Sequence, residues 1–209
     1  MKRNCDEFSS NGKGPSVTRM RDADVRRALH RKILAGHRRD PHTLVLDEMG
    51  LSRGDARVDI AVVNGKLHGY EIKSDADTLQ RLPAQAEIYS STLDLVTVIA
   101  GTKHACKVVA MVPDWWCVKT ASAGPRGGVT FRELRRGRMN PRIDPVALAG
   151  LLWRNEAVEL LHSYNVSGIR SKNRTELASR LASEIPLAAL RKAVRDALKA
   201  RAHWRSASM

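Results

Sequence analysis

Two carboxylates and one ammonium group stand out in a stretch that is otherwise apolar. Arg57 to Tyr89 reads RVDIAVVNGKLHGYEIKSDADTLQRLPAQAEIY, and within it Asp59, Glu71 and Lys73 carry the chemistry. A buried carboxylate is costly unless it is paired or bound to a metal. Two in one apolar segment, with a lysine two residues after the second, therefore need a reason. Together with the Ile72 carbonyl they form an oxygen-donor set suited to Mg²⁺, with Mn²⁺ as its substitute. Such a hard cation keeps several waters and accepts phosphate oxygens. It would acidify a bound water and stabilise charge on a phosphoryl oxygen. Lys73 could orient or deprotonate that water, or neutralise the charge that develops. This is equipment for cutting a phosphodiester. Gln85 and Tyr89 follow four residues apart, on one face of a helix.

These residues need a hairpin to bring them together. Val58 to Val63 is apolar and β-branched except at Asp59, and Leu67 to Ile72 forms a second strand, with Asn64-Gly65 as a turn signal between them. Side chains alternate along a strand, so Glu71 and Lys73 share a face. A two-residue turn would set Asp59 opposite Tyr70 and turn Glu71 away from it. A three-residue loop, Val63-Asn64-Gly65, with Gly65 in the left-handed region, pairs Val62 with Lys66 and puts all three on one face. A shared metal requires the three-residue form, which is the expectation.

The pattern D-x11-E-I-K, with Asp59, Glu71 and Lys73 at its motif positions, resembles the core of the PD-(D/E)xK nuclease superfamily. Gln85-x3-Tyr89 is similar to the QxxxY element of its RecB-like members. GYEIKSDADTLQRLPAQAEIY and the later VPDWW resemble the sce7726 family of small bacterial proteins, over most of the chain from about residue 20 onward. No proline precedes Asp59, where Val58 sits. The resemblance implies a restriction-endonuclease-like α/β core, αβββαβ, and a Mg²⁺-dependent nuclease acting on DNA, in repair or phage defence. It implies that Asp59, Glu71 and the Ile72 carbonyl hold the metal. It makes Glu48 the assisting upstream acid, with Asp47 as rival. Gln85 and Tyr89 would face the site and support Lys73 or the substrate. Two other readings stand beside it: a nucleic-acid-binding protein without turnover, and a defence nuclease acting on RNA.

The chain has 209 residues, 43% of them hydrophobic, which is enough for one core or one core plus a small appendage. Aromatic residues make up 4%, so that core is aliphatic. Lys and Arg number 36 against 22 acids, giving +14. Such an excess points to a polyanion, nucleic acid first; the plain alternative is a merely basic soluble protein. Cys5, Cys106 and Cys117 make neither a disulfide framework nor a zinc motif, which reads as cytoplasmic. Met1 to Pro15 lacks an apolar signal region, residues 1–16 read as disordered, and no run is long enough to span a bilayer. Oligomeric state is open, a homodimer included.

Four regions follow: the tail 1–16, a core 17–120, a basic loop or linker 121–143, and a helical region 144–205 with a DNA-binding role in view. Val17 to His37 reads as a helix capped by Asp22 or Asp24, with an arginine-rich outer face that includes Arg26. That face is either solvated or in contact with phosphates. Thr43 to Leu46 is a short strand, and Ser52 to Asp55 a loop. Arg53 and Arg57 flank the site and could hold a substrate phosphate. Ser74 to Asp77 looks like a helix entry, and Thr78 to Thr92 a helix restarted at Pro83. Leu93 to Ala100 and Lys107 to Val112 read as further strands. His104 reads as structural. Trp115 and Trp116 either pack against the sheet or stack on a base. Ala121 to Asn140 is an exposed loop or hairpin carrying Arg126, Arg132, Arg135, Arg136 and Arg138, able to order on nucleic acid. Pro145 to Tyr164 is helical, and Trp153 belongs to its apolar pattern. Asn173-x2-Glu176 is a capping box opening the next helix. AVELLHSYNVSGIRSKNRTELASRL is similar to SAP-type DNA-binding helices, which would put Lys172 and Arg174 against a duplex; a helical cap on the sheet is the alternative.

Overall fold

The computed structural model describes residues 21–124 and 128–207. The expectation of a disordered tail at 1–16 lies outside them, as does Arg126. The order is α1 (Asp22–Lys32), α2 (Ala35–Arg39), β1 (Leu44–Leu51), a 3-10 turn (Ser52–Gly54), β2 (Ala56–Val63), β3 (Leu67–Lys73), α3 (Leu82–Thr92), β4 (Leu95–Gly101), α4 (Ala105–Met111), β5 (Cys117–Ala123), β6 (Val129–Arg135), α5 (Pro145–Ala149), α6 (Arg154–Ser163), α7 (Arg174–Glu184) and α8 (Leu187–Ala207). The six strands form one mixed sheet in sequence order. β3, β4 and β5 run parallel, while β1, β2 and β6 join antiparallel. The protein is thus α/β, a mixed sheet flanked by helices.

Two apolar layers cover the sheet. Val25, Ala28, Leu29 and Leu34 pack with Ile60, Val62, Tyr70 and Ile72 on one face. The other face carries the larger core, where Val58, Val98, Trp116 and Tyr89 meet Leu148, Leu161, Leu177, Leu190 and Val194 from the C-terminal helices. Fully burying one such Leu or Val contributes about 1.5–3 kcal/mol.

Several elements depart from the sequence expectation, each for a physical reason. The first helix stops at Lys32 because Leu34 turns inward to full burial, and a second short helix follows. Its N-cap is Arg21, and Asp22 and Asp24 fall in the first turn, where the helix dipole favours them. Lys107 to Val112 is not a strand: it lies in a helix as far as Met111, with Val112 as its C-cap. β4 and β5 are parallel, and parallel neighbours need a crossover, which α4 supplies. Ser74 to Asp77 is a turn closed by the Asp77 carboxylate on the Ser74 amide and hydroxyl, and α3 begins only at Leu82. Ala121 to Asn140 contributes the β5–β6 hairpin to the sheet edge. Pro145 to Tyr164 divides into α5 and α6 around Gly150 to Trp153.

The β2–β3 loop has three residues, but they are Asn64, Gly65 and Lys66, with Val63 paired to Leu67. Gly65 does not adopt a positive φ. The Asn64 amide donates to the Lys66 carbonyl and the Asn64 side chain accepts from the Lys66 amide, so side-chain closure replaces the left-handed glycine. The pairing ends at Ile60–Tyr70, and just beyond it the Asp59 side chain accepts the Ile72 amide.

Candidate nucleic-acid interface

The carboxyl end of β3 opens into a cleft of about 740 Å³, and Glu48, Arg57, Asp59, Glu71, Ile72, Lys73 and Gln85 line it. Clefts at the carboxyl ends of parallel strands are where open α/β sheets place ligands. Glu71 is buried with Lys73, whose Nζ donates to Glu71 Oε1 at 2.5 Å. The same oxygen accepts from Gln85 Nε2 at 2.8 Å, and Oε2 accepts from the Tyr89 hydroxyl at 2.7 Å. Tyr89 lies beneath the cleft, fully buried and stacked parallel to Trp116 with ring centroids 6.0 Å apart. Burial and the Glu71 charge hold its hydroxyl in the neutral form.

Asp59 sits where β2 and β3 part. Its Oδ2 accepts the Ile72 amide at 2.7 Å, and its Oδ1 faces Arg26 Nη2 at 2.8 Å. Burial, then the Glu71 charge, push its carboxyl up to about 6, against the Ile72 amide and Arg26. Arg26 is the residue that sequence reasoning missed, because it was read as part of an outer face. It reaches from α1 to Asp59, to Glu48 Oε1 at 3.1 Å and to Asp22 Oδ1 at 3.3 Å. Burial pulls the guanidinium down in pKa, but Asp59 and Asp22 outweigh it and the net shift is upward. Its spacing of four from Asp22 was the only local signal. Glu48 holds a left-handed φ of 57° and pairs also with Arg57 at 2.7 Å, while Asp47 turns to His30 and Arg38.

The oxygen donors are those a hard cation would want. The cation that occupies them, however, is Arg26, and each Asp59 and Glu71 oxygen already has a protein donor. Among the described residues no three His, Cys, Asp or Glu side chains converge to hold a metal. The arrangement therefore does not fit a resident Mg²⁺ or Mn²⁺ unless Arg26 leaves.

The basic residues separate into two groups. Arg53, on the 3-10 turn with a φ of 59°, donates to Thr175 Oγ1 at 2.6 Å and so joins the cleft rim to the start of α7. Arg174 donates to the Leu152 carbonyl at 3.3 Å, and Arg154 to the Arg170 carbonyl at 2.5 Å. Lys172 sits 3.4 Å from Glu176, the acid that closes the α7 capping box with Asn173. Arg53, Arg154, Arg170 and Arg174 are exposed, on one continuous rim. By contrast Arg132, Arg135 and Arg136 belong to β6 and its end, at the far edge of the sheet. Arg135 points inward, donating to the Trp116, Val109, Val112 and Pro113 carbonyls, and is a structural clamp. Trp115 and Trp116 are buried and pack on the sheet. His104 is buried against the Asp77 carbonyl.

Fold and site together define an α/β protein whose cleft carboxylates are neutralised from within and whose rim is arginine-rich. The chain belongs to the bacteriophage P4 protein cII family, whose family model matches residues 16–209. Protein cII of Enterobacteria phage P4 is 31% identical over 160 residues, 76% of this chain and 60% of that protein. The chain thus spans less than two thirds of that relative's length. No solved structure matches it.

Family membership corrects the sequence reading. The likeness to sce7726 proteins and PD-(D/E)xK nucleases is overturned, and the expected Mg²⁺-dependent nuclease, on DNA or RNA, goes with it. Neither the matched family nor the relative is described as a nuclease. The physical reason the motif misled is that two acids, a lysine and a Gln-x3-Tyr pair make an equally good closed network. Here Glu71 accepts from Lys73, Gln85 and Tyr89, and Asp59 accepts from the Ile72 amide and Arg26. No helix among the described residues is long and apolar enough to cross a membrane.

Proposed function

We propose that this protein binds nucleic acid, DNA first, through the arginine rim, and does not cut it. The observation that supports this is the linkage of Arg53, Arg154, Arg170, Lys172 and Arg174 across the 3-10 turn and the α6–α7 connection. Most of these groups hydrogen-bond to uncharged partners, so their charge remains available for phosphate. The start of α7 adds the positive end of a helix dipole beside them. The neighbouring cleft is a poorer phosphate site. Its walls carry Asp22, Glu48, Asp55, Asp59, Glu71 and Asp77 against Arg26, Arg57, Lys73 and Arg81. We read the αβββαβ run as restriction-endonuclease-like in topology alone, and Mg²⁺ or Mn²⁺ as reaching Asp59 only when Arg26 is displaced.

The test is retardation of labelled DNA by the full chain at low salt, with Mg²⁺ and with EDTA. Binding without products in both is the expected result. Arg53→Ala combined with Arg174→Ala should weaken it about tenfold or more, because each contact to phosphate is charge-assisted. Lys192→Ala, which alters a Lys192–Asp196 pair on α8, should leave it unchanged. Equal affinity of the double variant and the wild type would overturn the assignment of the rim.

A further inference from the structure

Of the three tryptophans whose side chains are described, Trp153 is the one left in solvent. Its residue is 41% exposed, whereas Trp115 and Trp116 are 6% and 0% exposed. It stands at the entrance to α6, beside Arg154, and lines a second cleft of about 570 Å³ together with Arg53, Arg174, Leu151 and Leu198. That cleft shares Glu48, Gly50 and Gly54 with the acid-floored one, so the two adjoin. The acid at the shared edge, Glu48, is already paired with Arg26 and Arg57, and Asp47 in the second cleft is paired with Arg38 at 3.5 Å.

The ring is held, not merely exposed. The Arg201 guanidinium lies 4.2 Å from its centroid. Arg201 is itself fixed by Glu156 and by the Leu151 carbonyl at 3.0 Å. Glu156 also accepts the Trp153 backbone amide at 2.7 Å. A guanidinium stacked on an indole and anchored by a carboxylate costs little further ordering when another flat ring is added. Stacking of bases on aromatic side chains beside a basic groove is how single strands are held without regard to sequence.

We propose that Trp153 is a stacking platform for an unpaired base of single-stranded DNA, with Arg53 and Arg174 holding the phosphates on either side. The inference rests on the DNA-binding reading of the rim and deepens it. Bases inside a duplex present no free face to the ring, so the platform favours single strands over duplex.

The experiment compares a labelled oligo(dT) and a duplex of equal length by fluorescence anisotropy, using the full chain. Trp153→Ala should weaken oligo(dT) binding about tenfold and leave duplex binding within about twofold, while Trp153→Phe keeps most of the oligo(dT) affinity. Retained duplex binding also shows that the variant is folded, since the substitution keeps the backbone amide that Glu156 caps. Equal losses on both probes, or no loss on oligo(dT), would overturn the platform while leaving the rim intact. If the wild-type chain binds neither probe at low salt, the DNA-binding reading fails and the platform with it.

Discussion

Arg26 decides what the acid cleft is. One guanidinium meets Asp59, Glu48 and Asp22, and 23% of its side chain is exposed. Hydrogen bonds between charged groups contribute about 1.5–3 kcal/mol each when shielded, and solvent lowers that here. Arg26→Ala should therefore destabilise the fold by about 2 kcal/mol in urea denaturation. It also leaves Asp59 and Asp22 without their cation and Glu48 with Arg57 alone, so MnCl₂ should raise the melting temperature of Arg26→Ala and not that of the wild type. A wild-type shift as large as the variant's would show that the metal does not compete with Arg26. None of this was legible in the sequence, where Arg26 was one arginine among several on a basic helix. Asp59, Glu71, Lys73, Gln85 and Tyr89 were legible as a group because strand alternation and helical spacing are local rules. The cation that Asp59 pairs with was not, since Arg26 comes from another element.

At the scale of elements, the β2–β3 hairpin, α3 and the Asn173–Glu176 capping box could be read from the chain. Their signals lie within a few residues. α4 could not, because a short apolar run such as Lys107 to Val112 has no period that separates strand from helix. Only the parallel pairing of β4 with β5 requires a helix there. Asp94, joining α3 to β4, shows the same dependence on distant partners. It is 4% exposed, accepts the Leu67 amide at 2.8 Å, and lies 3.2 Å from Arg191 of α8. The Asp94–Arg191 contact is an ion pair without good hydrogen-bond angles. Asp94→Ala should cost about 3–5 kcal/mol, measured by urea unfolding, because it strands a half-buried arginine and a buried amide. On β3, His68 stacks on Tyr70 with centroids 4.3 Å apart and bonds to Thr97 Oγ1 at 2.9 Å. Burial first, then the charges of His37, Lys66 and Lys119, pull its pKa down to about 3. The folded chain thus binds fewer protons than the unfolded chain between pH 3 and about 6.5. The stability it contributes is whole above about 6.5 and falls by about 1.4 kcal/mol per pH unit below that, until its folded value is passed. His68→Gln should flatten the stability profile between pH 4 and 6, and an unchanged slope would show that another group drives acid unfolding.

Over the whole molecule, the excess of 36 basic over 22 acidic residues says only that a polyanion would be attracted. The fold decides where. It commits Arg26, Arg57, Lys73 and Arg135 to internal partners and leaves the rim from Arg53 to Arg174 facing outward. Salt dependence can separate these two populations. Each phosphate neutralised by a bound cation releases counterions, so the logarithm of the association constant falls with the logarithm of salt at about 0.9 per contact on duplex DNA. Removing Arg53 and Arg174 together should reduce that slope by about two contacts' worth. Arg57→Ala, whose guanidinium is held by Glu48, should change it by less than one, although both changes subtract charge from the same side of the protein. If attraction came from net charge alone, Arg57→Ala would lower the slope as much as each rim arginine does. Titrating all three variants over one range of potassium chloride distinguishes a built phosphate track from a diffuse positive field.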